Sequence, residues 1–154
     1  MTSESSAGHN KNNGRDRDQR ELSNLLDLRM PGDPDAISTV ADTISETLAG
    51  LDVPEEKRLE IALAVQEALA NAVVHGCKND SSKEVRCRLE RDSSGPIVIT
   101  VTDPGRGFLP ADVADPNQPE NLYADHGRGV YLIRQLMDEV HFENGGNQIR
   151  MWKY

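Results

Sequence analysis

Gly76 divides the chain into two parts with different hydrophobic periods, and few architectures accommodate that change. Before it, Ile37, Val40, Ala41, Ile44 and Leu48 recur at helical spacing, and Ile61 to Val74 is nearly all Ala, Leu, Ile and Val. After it the period is two. Val85, Cys87 and Leu89 alternate with charges in KEVRCRLER, and PIVITVTD is an apolar run suited to a central strand. Helices that bury one face and strands that bury one face solve each other's problem when stacked.

Punctuation residues set the expected boundaries. Leu22 to Arg29 reads as a first strand ended by PGDP, with Asp33 as N-cap and Pro34 at the first helical position. Gly50 closes that helix. Asp52, with Glu55 three residues on and Pro54 in the first turn, predicts a capping box for a second helix that runs to about His75, where Gly76 serves as a left-handed stop. A DSSG turn joins the next two strands, a third helix is expected from Gly129 to about Met137, and EVHFEN, GG and QIRMWKY make a closing hairpin. About three helices and five strands predict a two-layer α/β sandwich with a mixed, mainly antiparallel sheet and helices on one face.

At 154 residues the chain fits one domain. Residues 1–20 hold no large apolar side chain after Met1 and are expected to be a disordered tail, leaving 21–154 as the domain. The formal charge is −9, with no basic block to follow a phosphate backbone, so nucleic acid is not an expected partner. No apolar run approaches the roughly 20 residues a membrane span requires. Cys77 and Cys87 lack companions at zinc-ligand spacing and read as reduced thiols of a cytoplasmic protein.

Within the apolar second helix, Glu67, Asn71 and His75 fall on one narrow stripe, spread over about 80° at about 100° per residue. A carboxylate facing a packed core would cost several kcal/mol, so the stripe is expected to line a cavity, with Ala64, Ala68 and Ala72 leaving room beside it. From the helix alone, a local partner for Glu67 and a neighbouring loop for Asn71 explain the stripe equally well. Two glycine loops shift that balance. In VTDPGRGF an apolar strand delivers Asp103 and breaks into Gly105 and Gly107, which permit a tight turn and close backbone approach. In HGRGVYLIRQLMDEV, Gly127 and Gly129 stand at the expected start of a helix, where free N–H groups suit a phosphate, and Arg128 adds a charged donor. Neither loop is a P-loop or a dinucleotide fingerprint.

Taken in order, EALANAVVHG, DPGRGF and HGRGVYLI resemble the N box and the two glycine boxes of the GHKL (Bergerat-fold) ATP-binding superfamily, over roughly residues 22 to 154. Together with LIRQLMDEV they are most similar to the anti-sigma-factor serine kinases of bacterial partner-switching systems. The resemblance implies that Asn71 holds Mg²⁺ and thereby the phosphates of ATP, a role that suits its carboxamide oxygen. It implies that Asp103 accepts a hydrogen bond from the adenine amino group, a position where guanine would present an acceptor to a carboxylate. Gly105 and Gly107 would shape the adenine-side loop, and Gly127, Arg128 and Gly129 would meet the phosphates. Glu67 would be the general base toward a substrate serine. His75 and His126 are read as structural. Leu109 to Asp125 corresponds to the family's ATP lid, and relatives commonly have Thr where this chain has Asn147 after the hairpin glycines.

The function so implied is ATP-dependent phosphorylation of a STAS-domain anti-anti-sigma protein, with sequestration of a sigma factor by a probable homodimer. At 154 residues, neither the dimerisation domain of a sensor histidine kinase nor the second domain of the gyrase and mismatch-repair branches is expected. Two alternatives stay open: a non-catalytic ATP-binding module, for which Glu67 has no chemical use, and an ATP hydrolase in which Glu67 activates water.

Overall fold

The structure, a computed structural model, describes residues 21–107 and 125–154. The expected tail and nearly all of the expected lid segment lie outside the described residues.

Among the described residues five strands form one sheet in the order β1-β2-β3-β5-β4: β1 (Leu22–Pro31), β2 (Glu84–Asp92), β3 (Ile97–Thr102), β4 (Glu139–Glu143) and β5 (Gln148–Lys153). Every neighbouring pair is antiparallel. The expected two-layer α/β sandwich is therefore present, and the parallel component that a mixed sheet allows is absent among the described strands.

Among the described residues three α-helices, α1 (Ile37–Gly50), α2 (Glu55–Asn71) and α3 (Asp125–Leu136), supply the second layer. The core lies between the layers. Ile44 and Leu48 from α1 and Ile61, Val65 and Leu69 from α2 are buried in one cluster with Cys87, Leu89, Ile99, Val101 and Met151 of the sheet. Cross-strand register aligns these sheet residues, with Leu89 opposite Ile99 and Ile99 opposite Met151. The alternating partners Arg86 and Arg88 fall on the other face, as the period of two requires. Among the described residues no helix is long and apolar enough to cross a membrane. Both cysteines are free and buried, and burial pushes the Cys87 thiol up to about 12.

Local signals held where they were made of backbone chemistry. Asp33 accepts the Asp35 amide, with Pro34 opening a 3₁₀ turn that leads into α1. The DSSG turn is closed by Asp92, which accepts from the amide and hydroxyl of Ser94, and Gly95 takes φ 116. Three boundaries differ from expectation. Asp52 is not a cap: it sits at φ 58, and Pro54 occupies the N-cap position of α2 without a side-chain bond. The α-helix ends at Asn71 and continues as one π-turn, Ala72–Gly76, in which the Cys77 amide reaches the Ala72 carbonyl at 2.8 Å. Gly76 is not the left-handed stop; Lys78 and Asn79 take that conformation, at φ 53 and 57. Finally, α3 begins at Asp125, four residues before the expected Gly129.

Candidate functional site

The β3 strand ends at Thr102 and hands Asp103 to the surface between α2 and the β4–β5 connection. The chain turns at once, because the Asp103 Oδ1 accepts the Gly105 amide at 2.7 Å. The Asp103 amide in turn donates to the Asn147 carbonyl at 2.9 Å, which ties the DPGRG loop to the β4–β5 connection. Burial raises the Asp103 carboxyl above the ordinary range, partly offset by the Gly105 amide, which favours the ionised form.

Glycines make this packing possible. A Cβ at Gly76 would lie 2.2 Å from Asp103 Cγ, so the residue after the helical stripe is glycine for approach rather than for backbone conformation. Gly107 takes φ 75, and a Cβ there would lie 2.3 Å from the Gly145 carbonyl oxygen and 2.7 Å from the Asn147 nitrogen. The two glycine-bearing loops thus stack backbone on backbone.

These elements border a cleft of about 710 Å³ lined by Asn71, His75, Gly76, Asp103, Gly105 and Gly107, with Lys78, Lys83 and Arg106 adding positive charge. The volume suits a ligand of nucleotide size. Asn71 from the stripe and Asp103 from the strand end, read separately in the sequence, meet in this one space.

Glu67 and Gly129 meet beside it. A Cβ on Gly129 would lie 3.1 Å from Glu67 Oε2, 3.1 Å from Asn71 Nδ2 and 3.3 Å from Asn71 Oδ1, so α3 rests on the polar stripe of α2 through a residue with no side chain. Asn71 therefore belongs both to the cleft and to the Glu67–Gly129 contact. Glu67, Arg128 and Gly129 are not among the residues that line the cleft. Because α3 starts at Asp125, Gly129 lies in its second turn; the free N–H groups belong to Asp125 through Arg128, a stretch that includes Gly127. Arg128 is exposed. The side chain of His126 lies outside the described residues.

Sequence reasoning missed Gly76 as a packing residue, the π-turn, and the cationic rim. The signal for the first was present: a glycine directly after a polar stripe that faces a second glycine loop. The π-turn had none, since one extra residue in a single turn barely alters the hydrophobic pattern.

A two-layer sandwich with a single antiparallel sheet, a polar stripe on its central helix and glycine loops at one end of the sheet is the architecture of a nucleotide-pocket domain. The chain belongs to the histidine kinase-like ATPase domain family, whose signature matches residues 30–153. It is similar to the serine-protein kinase RsbW of Bacillus subtilis, with 28% identity over 136 residues and 84% of each chain covered. It is also similar to the protein of that name from Staphylococcus aureus strain JH9, at 26% identity with 84% of this chain and 86% of that one covered. Among solved structures it resembles the histidine kinase domain of the blue-light activated histidine kinase from Erythrobacter litoralis EL346, at 27% identity and a TM-score of 0.52. That match covers 80% of this chain and 60% of the other. The RsbU and RsbW domains of a Mycobacterium tuberculosis protein match at 20% identity with a TM-score of 0.55, a likeness of fold. That match covers 84% of this chain and 32% of the other.

Proposed function

We propose that this chain is an ATP-dependent protein serine kinase of the partner-switching type, which phosphorylates a STAS-domain anti-anti-sigma protein and sequesters a sigma factor in the cytoplasm. The observation that carries the reading is Asn71, shared between a cleft that ends at Asp103 and the contact with Glu67 and Gly129. A ligand that is flat at one end and polyanionic at the other fits that sequence of groups. The names of the relatives support the serine-kinase reading.

Asp103 accepts the adenine amino group with the oxygen that does not receive the Gly105 amide. Gly105 and Gly107 keep the base wall flat. The side-chain oxygen of Asn71, with the Glu67 carboxylate close by, is a hard donor of the kind Mg²⁺ takes alongside phosphate oxygens. When bound, the ion neutralises charge on the phosphates and fixes their orientation. Glu67 accepts the proton of the substrate serine hydroxyl as its oxygen bonds to the γ-phosphorus and the bond to the β-phosphate oxygen breaks, with ADP leaving.

Incubation with γ-labelled ATP and a STAS-domain protein tests the activity. Label should appear on a serine of the partner, and Glu67→Gln should retain ATP affinity while losing transfer by about 10²-fold or more. A variant that labels the partner at the normal rate would remove the base role. Asp103→Asn should weaken ATP in a direct titration, and unchanged affinity would remove the adenine assignment.

A further inference from the structure

The cations of the sheet and the cations of the cleft are treated differently by the fold. Among the strand residues, Arg29 pairs with Glu84, Arg86 with Asp27, Arg88 with Glu90, Arg150 with Glu143, and Lys153 with Glu60. Lys78, Lys83 and Arg106 line the cleft and are exposed, and none of the three makes an ion pair with another described residue. In a chain of formal charge −9, acids to neutralise them are plentiful, yet these like charges gather unpaired along one cleft. The neighbouring carboxylates are engaged elsewhere. Asp80 Oδ1 accepts the amide and the hydroxyl of Ser82 at 3.0 and 2.6 Å, and Asp103 Oδ1 accepts the Gly105 amide.

The segment that carries the two lysines is closely tied. The Cys77 amide donates to the Ala72 carbonyl at 2.8 Å, and the amides of Asn79, Asp80 and Lys83 donate to the carbonyls of Val73, Cys77 and Asp80, each at 3.0 Å. The Gly32 amide holds the far end through the Lys83 carbonyl at 2.8 Å. Within this segment Lys78 takes φ 53 and Asn79 φ 57. The left-handed region suits glycine and, among residues with side chains, asparagine, so the lysine is held there against its own preference. Arg106 joins the pair from the other loop, between Gly105 and Gly107.

Nucleotide phosphates do not account for this cluster. In the reading above they lie from Asn71 toward Glu67 and Gly129, whereas Lys78 follows Gly76 by two residues and Arg106 sits in the glycine loop, both at the Asp103 end where the base carries no charge. A protein that brings a serine to Glu67 has a surface that extends well past that serine. We infer that Lys78, Lys83 and Arg106 form a docking rim for the protein phosphoacceptor, which presents Asp and Glu side chains to them while its serine reaches Glu67. The inference rests on the protein-kinase reading above and names the chemistry by which the substrate is chosen. Exposed ion pairs contribute little each, but a cluster of one sign steers encounter and discriminates between partners, with a strong salt dependence.

Steady-state transfer from γ-labelled ATP to a STAS-domain protein, with the full chain and at saturating ATP, tests this. Two double variants bracket the charge. Lys78→Gly with Lys83→Gln removes it and suits the left-handed backbone at residue 78, while Lys78→Arg with Lys83→Arg keeps it. The neutral variant should raise KM for the protein about tenfold with kcat changed less than about twofold, and the arginine variant should resemble wild type. Raising salt from about 50 to about 200 mM should narrow the gap. Poly-glutamate should inhibit the wild type in competition with the protein and not with ATP, and should inhibit the neutral variant far less. A neutral variant with wild-type KM overturns the inference alone, as does a loss of ATP affinity, in direct titration, equal to the rise in KM. A DNA oligonucleotide that inhibits more strongly than poly-glutamate at equal charge assigns the rim to nucleic acid and overturns it as well. A wild type that labels no STAS-domain protein overturns the kinase reading itself, and this inference with it.

Discussion

At the base end of the cleft, Asp103, Gly105, Gly76 and Asn147 are held by backbone: amide to carboxylate, amide to carbonyl, and glycines where a Cβ would strike a neighbour. Beside the cleft α3 packs along α2, and where Gly129 meets Glu67 and Asn71 the atoms that face it are the tips of side chains. Backbone contacts cannot yield without moving a strand end or a turn, whereas side-chain tips can shift rotamer. A rigid wall at the Asp103 end of the cleft is therefore joined, through Asn71, to an adjustable contact that lies beside it. This division suits the function proposed above, in which one end would recognise an edge of a ring and the other would accommodate groups whose bonds change.

The sharpest way to break this comparison is to add one methyl group at each end. Gly76→Ala places a Cβ 2.2 Å from Asp103 Cγ and 2.6 Å from Asp103 Cβ, and because no rotamer moves the latter, the strand end or the π-turn must shift. Overpacking of this kind should cost about 2–3 kcal/mol in urea unfolding and abolish nucleotide binding. If stability is unchanged, the base end is not rigid. Gly129→Ala brings its Cβ to 3.1 Å from Glu67 Oε2 and Asn71 Nδ2, a distance the tips can relieve. Unfolding free energy should change by less than about 1 kcal/mol, while phosphotransfer falls about tenfold as the carboxylate is displaced. A larger stability loss at Gly129 than at Gly76 would reverse the assignment of rigid and adjustable walls.

Asp103 gives a smaller, pH-dependent effect. Burial raises its pKa in the folded chain above the unfolded value, so the folded state holds the proton more tightly. Its contribution to the stability of the nucleotide-free protein is greatest below the ordinary carboxylate range and is lost as pH rises through the raised pKa. Asp103→Asn should therefore leave the nucleotide-free protein at least as stable as wild type at pH 7, with the difference shrinking toward pH 3. Thermal melts across that range check the sign. The smallest effect is at Cys87, where the thiol is pushed up to about 12 by burial and so stays protonated. A thiol reagent at pH 8 should leave it unmodified in the native protein and label it only on unfolding.

How much of this was readable differs between residues for physical reasons. Asn71 was legible as a cleft residue because polarity within an apolar helix is costly and needs a cause, whereas Glu67, expected to line the same cavity, lies beside it. Asp103 was legible because it ends an apolar strand in a glycine turn. Asp33 and Gly95 were legible because capping and left-handed turns are decided within a few residues. Asp52 was misread for the same kind of reason: it has the composition of a cap, but the turn after α1 requires a left-handed residue there and Pro54 already takes the cap position. The start of α3 was misplaced because the glycines that normally punctuate a helix end here lie inside it, where Gly129 serves the approach to α2.

The sequence by itself determined the layers, the core faces and the identity of the polar groups, since these follow from period and transfer free energy, which act residue by residue. Tertiary structure alone decided that Gly76 is a surface for Asp103, that α2 closes in a π-turn, that Gly129 approaches Glu67, and that the Asn147 amide leaves its oxygen without a partner among the described residues. Each of these depends on a distance between segments remote in sequence, and no local preference encodes such a distance.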